Sequence, residues 1–88
     1  MIASLHVLVV EPEPATRDLV SDLLAEAGLE VTTAYDREDA RRVLSVFPVD
    51  VVVGAMESAP APVVAIPKPL HGLMLLAAIR EAVRATSH

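Results

Sequence analysis

Short, nearly unbroken apolar runs alternate along the chain with stretches whose apolar residues recur at helical spacing. The first run, Leu5-His6-Val7-Leu8-Val9-Val10, ends in Glu11-Pro12 and predicts a strand buried on both faces. From Ala15 to Ala27, Ala15, Leu19, Val20, Leu23, Leu24 and Ala27 trace an apolar stripe, with Asp18, Asp22 and Glu26 elsewhere around the axis. This predicts a helix, with Pro14 suited to its first turn and Gly28 to the residue just past its end. Glu30 to Tyr35 is β-branched and partly polar, as in a strand near the sheet edge. Asp36 is placed to cap a second helix, with Asp39 resembling the far member of a capping box; Ala40, Val43, Leu44 and Phe47 form its stripe and Pro48 stops it. Val49 to Ala55 is a third strand, Met56 to Pro62 a proline-bearing loop, Val63 to Ile66 a last strand broken by Pro67-Lys68-Pro69, and Leu70 to Ala85 a final helix.

The order β-α-β-α-β-β-α predicts one α/β domain over residues 1–88, a shortened doubly wound and mostly parallel sheet. The link from the third strand to the last is anomalous. Neighbouring parallel strands ordinarily need a crossover of about a dozen residues or more, and Met56 to Pro62 supplies seven. Three solutions stand open: an antiparallel last strand, an unusual short connection, or a strand that reaches into another copy of the chain.

Composition narrows the chemistry. Hydrophobic residues make up 53% of the chain with one Tyr, one Phe and no Trp, so the core must be aliphatic. The absence of cysteine removes disulfides, thiolate metal sites and cysteine nucleophiles. Twelve acidic against seven basic residues give a net charge of −5, and no basic run exceeds Arg41-Arg42, which argues against nucleic acid as a partner. Met1 to Val10 lacks the basic flank and cleavage site of a leader and meets Glu11 too soon to span a bilayer, so a soluble cytoplasmic protein without membrane contact is expected. The Met1 start and short polar end are those expected of a complete chain. His6, His71 and His88 share no metal-ligand spacing and read as non-catalytic.

Val7-Leu8-Val9-Val10-Glu11-Pro12-Glu13-Pro14, the helix ending Ala27-Gly28-Leu29-Glu30-Val31, Thr33-Ala34-Tyr35-Asp36 before Glu38-Asp39-Ala40, Val49-Asp50-Val51-Val52-Val53, and Ile66-Pro67-Lys68-Pro69-Leu70 together resemble the receiver domain of bacterial two-component response regulators. The resemblance covers nearly the whole chain and implies a flavodoxin-like, CheY-like fold. It also implies a cis peptide after Lys68. The departures bear on function. Where receivers carry an adjacent acidic pair for Mg²⁺, this chain has Glu11 and Pro12, and where they carry the phosphoacceptor Asp it has Ala55, between Gly54 and Met56. The family's third helix, fourth strand and fourth helix have no counterpart between Ala55 and Lys68.

Without an acceptor, phosphoryl transfer in the family's manner ends, whatever else remains. The remnant pocket is Glu11, Glu13 and Lys68, with Lys68 placed by the resemblance to form a structural ion pair with Glu11 or Glu13; Glu11, Glu13 and Asp36 are candidate ligands of a weakly held cation. No catalytic residue, cofactor or resident metal is expected. Glu57 is either a fixed negative charge near Ala55 or, as loop carboxylates usually are, a solvated one.

The final helix carries Leu73, Met74, Leu75, Leu76, Ala77, Ala78 and Ile79 in succession, apolar around its whole circumference. Loss of two helices also predicts bare valines on the third and last strands. A standard interface hides about 800 Å² per partner, an area such a patch matches. The leading expectation is a non-catalytic, phosphorylation-independent protein that acts by protein–protein contact in signal transduction and self-associates through Leu73, Met74, Leu76, Ala77 and Val83. The alternatives are a receiver mimic that binds a sensor histidine kinase or phosphotransfer protein through a first-helix surface including Arg17 and Val20, and a metal-dependent enzyme using Glu11 and Glu13.

Overall fold

The computed structural model describes residues 5–86. Its elements are β1 (His6–Val10), α1 (Pro14–Glu26), β2 (Glu30–Ala34), α2 (Arg37–Leu44), β3 (Val51–Gly54), β4 (Val63–Val64) and α3 (Gly72–Thr86). The sheet order is β2-β1-β3-β4 and every pairing is parallel, with Val7 opposite Val31 and Val51, and Val10 opposite Ala34 and Gly54. Strand alternation then divides the core in two. Val7, Val9, Val51 and Val53 meet Val20 and Leu24 of α1 and Leu75 and Ile79 of α3, while Leu8, Val10, Val52 and Ala34 of β2 meet Ala40 of α2 on the other side.

Local chemistry places the boundaries. Pro14 opens α1, and the Leu29 and Gly28 amides donate to the Leu24 and Ala25 carbonyls at 3.1 and 3.0 Å, a Schellman closure with Gly28 at φ 91°. The Asp36 carboxylate accepts from the Asp39 amide at 2.7 Å and so caps α2. That helix is shorter than its apolar stripe predicts. It ends at Leu44, with the Phe47 amide folded back on the Val43 carbonyl at 2.8 Å, and Phe47 is left exposed rather than on the core-facing stripe.

The short link between β3 and β4 resolves as an unusual connection within a parallel pair. Only Val63 and Val64 are paired, opposite Val52 and Val53, so the chain must climb back by about two strand residues, roughly 7 Å, and a long helical crossover is not required. This connection also overturns the expectation of a bare sheet face. Val52 is fully buried because Met56, Ala59 and Ala61 fold over Leu8, Val10 and Val52 beside α2, while Val51 and Val53 are fully buried on the other face against α1 and α3. Val63 and Val64 are half-buried.

Candidate functional site

In an open parallel sheet the crevice forms beyond the carboxyl ends of the strands, where the chain order reverses, here between β1 and β3. Glu11 leaves β1 at that point, Gly54 and Ala55 leave β3, and Ala65, Ile66 and Lys68 follow β4. These six residues line a cavity of about 190 Å³. Glu11 is 7% exposed. Its carboxylate accepts from the Glu13 amide at 3.1 Å, its backbone amide donates to the Ala34 carbonyl at 3.0 Å, and its carbonyl accepts from the Arg17 guanidinium at 2.9 Å. Gly54 is required by crowding as well as by dihedral angle: its φ is 127°, and a β-carbon there would stand 2.0 Å from the Val10 carbonyl oxygen.

The remnant pocket is therefore assembled in part. Glu11 and Lys68 share the cavity with Ala55, and the Lys68–Pro69 peptide is cis, as the resemblance implies. Glu13 is not in the cavity. It sits exposed at the head of α1, where its carboxylate accepts from the Thr16 hydroxyl. Among the described residues no ion pair joins Lys68 to Glu11 or Glu13, which corrects the expected salt bridge; the pairs formed are Arg37–Glu57, Arg42–Asp39 and Arg84–Glu81. Nor do Glu11, Glu13 and Asp36 gather as cation ligands. Asp36 lines a separate hollow with Arg37, Glu38 and Arg41, and no three His, Cys, Asp or Glu side chains among the described residues are grouped to hold a metal.

The remaining polar candidates have structural roles. Glu57 pairs with Arg37 at 3.3 Å with its side chain 87% exposed, a solvated loop carboxylate. His6 opens β1, its amide donating to Asp50 at 2.8 Å and its ring bonded to the Thr32 hydroxyl at 2.7 Å. His71 accepts from the Met74 amide at the head of α3, and His88 lies outside the described residues. The Arg42 guanidinium is held above its ordinary pKa by its hydrogen bond to Asp39, which changes no chemistry because arginine is already fully charged.

On α3, Leu73 and Met74 are 76% and 60% exposed and Ala77 is exposed as well, whereas Leu75 and Ile79 are buried. Leu76 and Val83 are half-buried against the chain's own core, so the outward apolar surface is narrower than the five residues expected from sequence. Arg80, Glu81 and Arg84 share the exposed side, which makes α3 amphipathic rather than apolar all round. Val20 is fully buried beneath α1, and this removes it from any partner-binding surface on that helix. Two features were not anticipated: the Arg17 bond to the Glu11 carbonyl, and a hollow of about 450 Å³ between α2 and the β3–β4 connection, lined by Arg41, Leu44, Ser45, Met56, Ser58, Ala59 and Pro60. Helical spacing reveals neither, since each joins segments that a linear pattern treats separately.

No protein-family model matches the chain, and no curated protein matches it by sequence. Its shape does have solved counterparts. The chemotaxis protein CheY4 of Vibrio cholerae, in a high-resolution structure from crystals grown at pH 4.0, superposes with a TM-score of 0.75 at 22% identity, covering 91% of this chain and 99% of that one. The chain thus has a shortened CheY-like, flavodoxin-like receiver fold of four parallel strands and three helices.

Proposed function

We propose that this receiver-like domain is a non-catalytic, phosphorylation-independent protein of signal transduction that works in the cytoplasm by protein–protein contact, as a homodimer. The observation that carries the reading is Ala55. It follows β3 in the cavity that also holds Glu11 and Lys68, and a methyl group accepts no phosphoryl group. Glu11 supplies the single carboxylate among the cavity's lining residues, and it is already engaged by the Glu13 amide, a poor basis for recruiting a divalent cation. Support for self-association comes from the exposed Leu73, Met74 and Ala77 of α3.

Two measurements on the same sample test the reading. Incubation with a small acyl-phosphate donor and Mg²⁺ is expected to leave the intact mass unchanged, and light scattering after size exclusion is expected to give twice the chain mass. Stoichiometric gain of a phosphoryl group overturns phosphorylation independence; a monomer at every concentration overturns the homodimer.

A further inference from the structure

Helices α1 and α3 lie on the same face of the sheet and share one core cluster, so their outward sides form one surface of the molecule. On α1 that surface carries Asp18, Asp22 and Glu26, exposed and spaced four residues apart on the side opposite Val20 and Leu24. Like charges at this spacing repel, and Glu26 stands in the last turn beside the negative end of the helix dipole, where no basic residue offsets it. Arg17, the cation of that helix, is turned away to the Glu11 carbonyl, and none of the ion pairs among the described residues involves Asp18, Asp22 or Glu26.

The complementary pattern is on α3. Arg80 and Arg84 are exposed and also four residues apart, and among the described residues Arg80 pairs with no carboxylate. Both rows therefore repeat at about 6 Å along their axes, the rise of four helical residues. Exposed apolar side chains accompany each row: Leu19 on α1, and Leu73 with Ala77 on α3.

We infer that the occupant of this face is a second copy of the chain, docked about a two-fold axis so that Arg80 and Arg84 on α3 of one copy meet Asp18, Asp22 and Glu26 on α1 of the other. The inference rests on the homodimer reading and specifies its surface. A two-fold arrangement forms the charge contact twice and brings exposed apolar residues of both copies into one interface. It also answers an objection from net charge: a chain at −5 repels a second copy unless cations are concentrated where the two touch.

Charge reversal tests it, read by analytical ultracentrifugation on the full chain, with circular dichroism to establish that each variant is folded. The wild-type dimer is expected to dissociate at least tenfold more readily at 0.5 M than at 0.05 M NaCl. Variant one, Arg80→Glu with Arg84→Glu, and variant two, Asp18→Arg with Asp22→Arg, are each expected to be monomeric. Mixed, they are expected to form a one-to-one heterodimer, because each surface of one then meets its opposite on the other. A wild-type dimer that persists undiminished in variant one overturns this surface while leaving the homodimer intact. Variants that stay apart on mixing overturn it equally, and a wild-type monomer removes the homodimer itself, leaving the face to a different protein.

Discussion

Gly54 and Gly28 both have positive φ angles, but they differ in what a side chain would meet. At Gly54 a β-carbon would overlap the Val10 carbonyl oxygen, the same oxygen that accepts from the Ala55 amide at 3.1 Å; at Gly28 nothing lies within 4 Å. Gly28→Ala therefore carries only the conformational cost, about 1 kcal/mol. Gly54→Ala adds a backbone collision at the junction of β1 and β3 and is expected to cost at least about 3 kcal/mol or to prevent folding. Urea denaturation of both variants checks the ordering, and equal losses would show that Gly54 is held by dihedral preference alone. Much of the cavity beside it was legible beforehand, because residues that end β1 and β3 must converge at the carboxyl edge of a parallel sheet. Glu11, Ala55 and Lys68 could be placed together because the resemblance to receivers implies it. Glu13 could not, since whether the residue heading α1 turns inward depends on the local bond its carboxylate makes to Thr16.

Helix α2 shows what holds a short element in place. Eight residues are too few for a stable isolated helix, and Ala40 is its only fully buried residue, so its ends must contribute. The Asp36 carboxylate satisfies the Asp39 amide, Asp39 in turn accepts from the Tyr35 amide at 3.3 Å and pairs with Arg42, and Glu38 and Asp39 complement the positive end of the dipole. Asp36→Ala is expected to lower stability by about 1 kcal/mol while Asp36→Asn retains most of it, with the thermal midpoint as the readout. A loss of the same size in both variants would shift the credit from the hydrogen bond to the charge. The cap was visible as Asp36 followed by Asp39, and α1 as a stripe closed by Gly28. The end of α2 was not, because Phe47 continues the apolar spacing while the chain has already turned at Ser45. Nor was the shortness of β4, four residues by composition but two by pairing, since pairing depends on what β3 offers opposite it.

At the scale of the molecule, the receiver fold has been shortened without opening its core. The β3–β4 connection takes over part of the covering that a helix would provide, laying Met56, Ala59 and Ala61 on Leu8, Val10 and Val52, and composition gives no periodic sign that a proline-bearing loop does this. The economy has a consequence for stability. A chain of 88 residues buries a smaller fraction of its surface than a full-length domain, and its two aromatic residues, Tyr35 and Phe47, both remain exposed, so the core is wholly aliphatic. If docking of a second copy over α1 and α3 completes the burial, association and folding are linked, and stability depends on protein concentration. Each tenfold rise in concentration then adds about 1.4 kcal/mol per dimer, about 0.7 kcal/mol per chain, and with about 4–8 °C per kcal/mol for a domain of this size the thermal midpoint climbs by roughly 3–6 °C. Scanning calorimetry from 5 µM to 500 µM is expected to show that climb in the wild type and a flat line in Arg80→Glu with Arg84→Glu. A midpoint independent of concentration in both would mean that α2 with the β3–β4 connection on one face and α1 with α3 on the other suffice alone, and that Leu19 and Leu73 are ordinary exposed surface.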